Sequence, residues 1–144
     1  ARGSALAQAR LAFNPAASDV SPPVFTATGL REELSPGSMF LEQTRALVAV
    51  DVNTGGDTSL AAGLKANLAC ARALPRALRL RGLGGQIVID PAPMAKKDRR
   101  TFEDALRRAL RADDIDTVLA GWTPLGHYEL QRKRARLPLS EVLK

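Results

Sequence analysis

Three features of the chain predict an α/β protein whose sheet has a parallel βαβαβ core. Two short apolar runs, residues 46–50 and 87–89, are continuous and rich in β-branched side chains, as strands covered on both faces are. Each run is followed by a segment with apolar residues at three- and four-residue spacing, the mark of a helix with one buried face. The resulting order of strand, helix, strand, helix, strand is that of parallel strands joined by crossovers.

Taken in order, residues 1–13 are rich in Ala, Leu, Gln and Arg and predict a short helix. Residues 14–37 carry Pro15, Pro22, Pro23 and Pro36 among Ser and Thr, which reads as linker with a helical turn near 30–34. Residues 39–44 lead into the first strong strand and suit a strand paired with it. A polar loop follows over 53–59, where Asp57 or Ser59 can cap the next helix. That helix spans 60–80, its apolar face made by Leu60, Leu64, Leu68, Ala71, Leu74 and Leu78, with Pro75 expected to kink or interrupt it. Gly82, Gly84 and Gly85 turn the chain into the second strand, 86–90, which Pro91 and Pro93 end. A further helix over 97–112 buries Phe102, Leu106, Ala109 and Leu110 and exposes Arg99, Arg100, Arg107, Arg108 and Arg111. A third strand at 117–120, a loop with Trp122 and Pro124, and a last element over 129–136 complete the pattern. The division expected is therefore an N-terminal helix and linker over 1–38, a core over 39–138 and a tail over 139–144. The first residue is Ala1 rather than Met, which reads as a piece of a longer or processed polypeptide.

A length of 144 residues suits one domain. Lys and Arg number 21 against 15 Asp and Glu, a net charge of +6 that favours an anionic partner, nucleic acid first. Cys70 is the only cysteine, so no disulfide can form within the chain and a reducing, cytoplasmic setting is expected. No apolar stretch reaches about 18 residues, so no membrane span is expected.

The chemistry-bearing residues are two aspartates, Asp51 and Asp90, each ending one of the apolar strands. In α/β sheets ligands bind beyond the carboxyl ends of the strands. Two carboxylates there repel unless a cation lies between them, and hard oxygen ligands suit Mg²⁺ or Mn²⁺. Such an ion can activate water against a phosphodiester. The spacing also fits one aspartate capping a turn and the other being solvated. Other candidates carry a double reading too. The run Arg132, Lys133, Arg134 and Arg136 is a phosphate contact or a solvated face. Arg79 and Arg81 contact phosphate or favour a helix end. His127 is a general base or a structural residue beside Tyr128. Trp122 and Tyr128 stack on bases or pack in the core. The glycine pairs are turns, since the phosphate-loop spacing of nucleotide-binding domains is absent.

Four segments go further. Asp51-Val52-Asn53-Thr54-Gly55-Gly56, then Lys65-Ala66-Asn67-Leu68, then Leu78-Arg79-Leu80-Arg81-Gly82-Leu83-Gly84-Gly85-Gln86-Ile87-Val88-Ile89-Asp90, and finally Leu125-Gly126-His127-Tyr128-Glu129-Leu130-Gln131-Arg132-Lys133-Arg134 follow one another in the chain. In order and spacing they resemble the catalytic core of the ribonuclease E/G family over residues 45–138, above all its small proteobacterial members. The resemblance implies a DNase I-like subdomain that cuts single-stranded RNA internally with Mg²⁺, leaving a 5′-phosphate on the downstream product. It implies that Asp51 and Asp90 hold the metal and that Asn53 helps position the site. It also implies that Lys65, Arg79, Arg81, Arg132, Lys133 and Arg134 meet the RNA.

The chain departs from the larger members in several places. No room is expected for their S1-type RNA-binding module or 5′-end sensor. Their Cys-Pro-x-Cys zinc link is absent, so any self-association is expected to proceed without zinc. Pro91 and Pro93 stand where those enzymes have an aromatic residue and an acid, and Asp113-Asp114-Ile115-Asp116 stands where the family has an arginine. Two functions follow: a metal-dependent endoribonuclease core, or a catalytically weak or inactive RNA-binding or scaffold module of the same fold.

Overall fold

The computed structural model describes residues 30–134. The expected N-terminal helix, most of the linker, Arg136 and the C-terminal tail lie outside the described residues. Within them are β1 (Arg31–Glu33), β2 (Ser38–Gln43), β3 (Val48–Asn53), α1 (Leu60–Arg81), β4 (Gly85–Asp90), α2 (Arg99–Arg111), β5 (Thr117–Trp122) and β6 (Tyr128–Arg132). A single 3₁₀ turn, Lys96–Asp98, leads into α2.

The strands form one six-stranded sheet in the order β1-β2-β3-β4-β6-β5. Only β3 and β4 pair in parallel; the other pairs are antiparallel. The architecture is therefore mixed α/β, and the expected run of three neighbouring parallel strands is corrected to one βαβ unit. The third strand, β5, still runs in the direction of β4 but does not touch it. The short turn after Trp122 folds β6 back on β5 as a hairpin, and β6 takes the free edge of β4. A second correction concerns residues 30–34, where the expected helical turn is β1. It pairs with β2 through Arg31↔Phe40 and Glu33↔Ser38, so the segment read as linker contributes a strand.

Both helices pack on one face of the sheet. Val48, Val50, Val52, Ile87 and Ile89 point into that layer and are buried, while Asp51, Asn53, Gln86 and Asp90 face away and are exposed. Among the described residues these strands are covered on one face and not, as expected, on both. The runs looked continuous because the outward positions between buried ones are held by Ala49 and Val88, which a half-open sheet face tolerates.

Helix α1 starts where Ser59 Oγ accepts a hydrogen bond from the Ala62 N–H at 3.1 Å. It ends at Gly82, whose φ of 64° closes the last turn by N–H bonds to carbonyls of that turn. The helix runs unbroken through Pro75 rather than stopping there, because Pro75 is buried against the rest of the layer and packing outweighs the lost backbone bond. Under α2, Phe102, Trp122 and Tyr128 form a tilted aromatic trio with centroids 5.0 to 6.1 Å apart. The Tyr128 hydroxyl donates to Glu103 Oε2 at 2.5 Å, which makes Tyr128 a core residue anchoring α2 to β6. No described helix is long and apolar enough to cross a membrane.

Candidate active site

The parallel pair β3–β4 sets the site. Asp51 and Asp90 are register partners at the carboxyl ends of these adjacent strands, and both side chains stand on the open face of the sheet. Adjacent in-register side chains on one face are neighbours. Partial burial, followed by the charge of Asp90, pushes the Asp51 carboxyl above the usual carboxylate range. Asn53 stands two residues further along β3 on the same face. On the other side of Asp51 its partner in β2 is Phe40, 39% exposed, with the Arg31 guanidinium 5.7 Å from its ring centroid. One row across the open face thus reads Arg31, Phe40, Asp51, Asp90.

Three loops hold this row in shape. After β4 the chain is fixed by Asn67, which is fully buried in α1: its Nδ2 donates to the Ala92 carbonyl at 2.9 Å and its Oδ1 accepts from the Ala92 N–H at 2.8 Å. Gly63, one turn earlier, lets the same loop lie against the helix. A Cβ there would come within 1.6 Å of the Pro93 carbonyl oxygen. After β5 the turn is closed by Thr123, whose N–H donates to the His127 carbonyl at 2.8 Å and whose hydroxyl accepts from the His127 N–H at 3.1 Å. That turn leaves His127 Nε2 3.6 Å from Asp90 Oδ1. The β3–α1 loop is held by Asp57, whose carboxyl lies below its usual range because Ser59 hydrogen-bonds it and Lys65 adds a nearby positive charge. Lys65 therefore stands at the site end of α1.

The remaining sequence-predicted cations lie elsewhere. Arg132 pairs with Gly85 at the start of β4, about 17 Å along the strand from Asp90. The basic run 132–134 that follows Tyr128 in sequence is thus at the opposite end of the sheet from the carboxylates. Arg132 is also buried, its side chain 1% exposed, with Nη2 2.9 Å from Asp113 Oδ2. Arg79 reaches the same Asp113 carboxylate. Arg81 is buried, donating to Glu32 at 3.0 Å and to the Ala77 carbonyl at 3.1 Å. For Arg81 and Arg132 the expectation of an RNA contact is corrected: each charge is enclosed by the fold. Strand alternation turns Arg132 inward at the end of β6, Arg81 is held by Glu32 at the end of α1, and Lys133 and Arg134, beyond the strand, are exposed. The Arg134 side chain lies over Gly84 and Gly85.

Asp113 explains the acidic stretch. Its side chain is 1% exposed. Burial alone would raise its carboxyl, but Arg132, Arg79 and the Ile115 N–H together hold it below the usual range. Within the acidic stretch 113–116, Asp113 is therefore an internal counter-ion.

The donor set at the site is the Asp51–Asp90 pair. Among the described residues no three or more His, Cys, Asp or Glu side chains gather as a metal cage. Two adjacent carboxylates on an open face suit a small hard dication that keeps most of its water, as Mg²⁺ does. Sequence reasoning missed Asn67, Phe40 and the approach of His127. Asn67 lay inside a quoted motif, but the register that places the other two was not legible.

Comparison with known proteins identifies the family. The family model described as the Ribonuclease E/G family matches residues 28–135. The chain is 40% identical to "Ribonuclease G" of Salmonella typhimurium over 114 residues, covering 76% of this chain and 23% of that protein. It is 37% identical over 107 residues to "Ribonuclease E/G-like protein, chloroplastic" of Arabidopsis thaliana, covering 69% of this chain and 11% of that one. It is also 37% identical over 117 residues to "Ribonuclease E" of Nostoc, covering 73% and 17% respectively. The chain thus spans less than a quarter of the length of each of these relatives.

Proposed function

The chain belongs to the ribonuclease E/G family, and from that premise we propose that it is the metal-dependent core of an endoribonuclease, a DNase I-like subdomain that hydrolyses internal phosphodiesters of single-stranded RNA and leaves a 5′-phosphate. One observation carries the reading: Asp51 and Asp90 in register at the ends of the parallel strands, on the open face. Bound Mg²⁺, or Mn²⁺, would supply water activation and charge neutralisation at the phosphate.

The chain's own residues supply the rest. Asp51 and Asp90 hold the ion, and Asn53 orients the phosphate beside Asp51. Asn67 positions the loop that follows Asp90. Phe40, next to Asp51, offers a ring on which a base of the strand can stack. His127 adds a donor near Asp90 that can meet a phosphate oxygen. Lys65 supplies charge at the site end, while Lys133 and Arg134 supply it at the far end of the sheet. Self-association and a cytoplasmic setting belong to the same proposal.

The alternative, an RNA-binding module without activity, is favoured by the absence of a third acidic donor among the described residues. Cleavage of a fluorescent, 5′-monophosphorylated single-stranded RNA, with Mg²⁺ and with EDTA, separates the two. Metal-dependent cutting that Asp90→Asn removes supports the nuclease. Binding without cutting supports the module.

A further inference from the structure

The outer side of the helical layer carries a second charged feature. Helices α1 and α2 leave a groove of about 440 Å³ between them, lined by Arg72, Arg76 and Arg79 from α1 and Arg108 from α2, with Asp113 at one end. Arg72, Arg76 and Arg108 are exposed, and among the described residues none of the three is in an ion pair. The one acid in the groove, Asp113, is already occupied by Arg79 and Arg132. Arg72 and Arg76 stand one helical turn apart on the same face, and like charges so placed repel. The open face of the sheet has the opposite balance, carrying Glu42, Asp51, Asp90 and Glu129 beside the Arg31–Glu33 ion pair. The net positive charge is therefore not spread evenly. Part of it is concentrated, without internal partners, in a concave strip.

We propose that this groove is a phosphate-binding track for RNA, in which Arg72, Arg76 and Arg108 contact successive phosphates of a strand whose cleaved bond lies at Asp51 and Asp90. The choice of RNA as the polyanion rests on the function proposed above; the groove itself does not. Guanidinium groups give bidentate contacts to phosphate and carry no sequence information there. Helix α1 links the two places. Its Asn67 touches the loop after Asp90, and Arg76 lies nine residues on, about 14 Å along the helix axis. A strand gripped in the groove and cut at the carboxylates would pass from the outer side of the helices round to the open face of the sheet, which favours long substrates over short ones.

The test is fluorescence anisotropy of a labelled oligo(U) with the full chain in EDTA, over a range of salt. The triple variant Arg72→Gln, Arg76→Gln, Arg108→Gln is compared with Arg45→Gln, Arg100→Gln, Arg111→Gln, which removes the same charge outside the groove. Far-ultraviolet circular dichroism confirms that both fold. The groove variant is expected to bind roughly tenfold more weakly near 50 mM salt, and its salt slope to fall by about two, since each single-strand phosphate contact contributes about 0.7. The control variant should keep most of the affinity and slope. An oligo(dT) of equal length should show the same loss, because phosphate is what is read. Equal losses in the two triple variants, or none in either, would overturn the groove, as would an unmodified chain that binds neither oligonucleotide. The function proposed above fails separately, when a protein that binds RNA through the groove does not cut it with Mg²⁺.

Discussion

Asn67 and Ala92 exchange two hydrogen bonds, at 2.9 and 2.8 Å, and through them α1 grips the chain two residues beyond Asp90. Asn67→Ala leaves the Ala92 N–H and carbonyl buried without these partners. A cost of about 2–3 kcal/mol is expected from two such losses, read as a lower urea midpoint. Asn67→Asp keeps the acceptor but loses the donor, and should fall between. Cleavage by Asn67→Ala should need more Mg²⁺ at unchanged RNA affinity; an unchanged Mg²⁺ requirement would make the pair purely structural.

Asp51→Asn and Asp90→Asn should each lower Mg²⁺-dependent cleavage by at least a hundredfold without unfolding the protein, because both side chains lie on the open face and not in the core. Mg²⁺ should raise the melting temperature of the parent chain, as a ligand of the native state does, and not that of either variant. In EDTA, Asp51→Asn should melt slightly higher than the parent at neutral pH. The sign follows from the raised Asp51 carboxyl: the folded state holds its proton more tightly, so ionisation costs stability as pH rises through that value. A lower melting temperature in EDTA would contradict it.

Asp113 predicts an acid limb. Its carboxyl is held below the usual range in the fold, so the stability it contributes is complete above that range and is lost as pH falls through the depressed value. Asp113→Asn should cost about 3 kcal/mol at neutral pH, because Arg132 remains as a buried charge with no counter-ion. Denaturation midpoints taken from pH 7 to pH 3 should fall less steeply for the variant than for the parent. Parallel curves would remove Asp113 from the acid response.

Gly63→Ala sets two effects against each other. Alanine is favoured over glycine in a helix by about 1 kcal/mol. The new methyl, however, would sit 1.6 Å from the Pro93 carbonyl oxygen, a backbone atom that moves only with the loop beside the site. Overpacking typically costs about 1–3 kcal/mol, so the clash should win and the variant should be less stable. Gly56→Ala, with nothing within 4 Å, serves as the comparison and should be nearly neutral.

Cys70 is wholly buried, and burial pushes its thiol up to about 12. A thiol-reactive dye should not label the native chain at pH 8 and should label it fully in urea. Rapid native labelling would show that α1 opens readily.

Much of this was legible before any coordinates. Strand and helix positions follow from apolar periodicity and from glycine and proline punctuation. Asp90 ends β4, and Asp51 ends the parallel ladder with it, although β3 itself continues through Val52 to Asn53. Pairing was not legible. Nothing local in residues 128–132 says whether β6 lies outside β5 or enters between β5 and β4, and that choice decides which residues approach Asp90. The same limit misled the reading of charge. Arg132 and Lys133 are neighbours in the chain but point to opposite faces, one toward Asp113 and one to water. Residues 30–34 misled for a different reason: a three-residue strand is too short to show a period, and only its pairing with Ser38, Met39 and Phe40 defines it.

Because the helices cover one side of the sheet and the carboxylates occupy the other, each strand of the β3–β4 pair serves two masters in alternation. Val50 and Ile89 answer to the core, and Asp51 and Asp90, one position later, stand on the open face where the proposed metal and RNA would bind. Substitutions on the outward positions can therefore retune metal or base preference with little effect on folding, and inward ones can stiffen the scaffold with little effect on chemistry. An engineer could vary Phe40, Asn53 and Val88 as a library while leaving the interior untouched, and retention of the parent melting temperature across that library would measure how independent the two sides are.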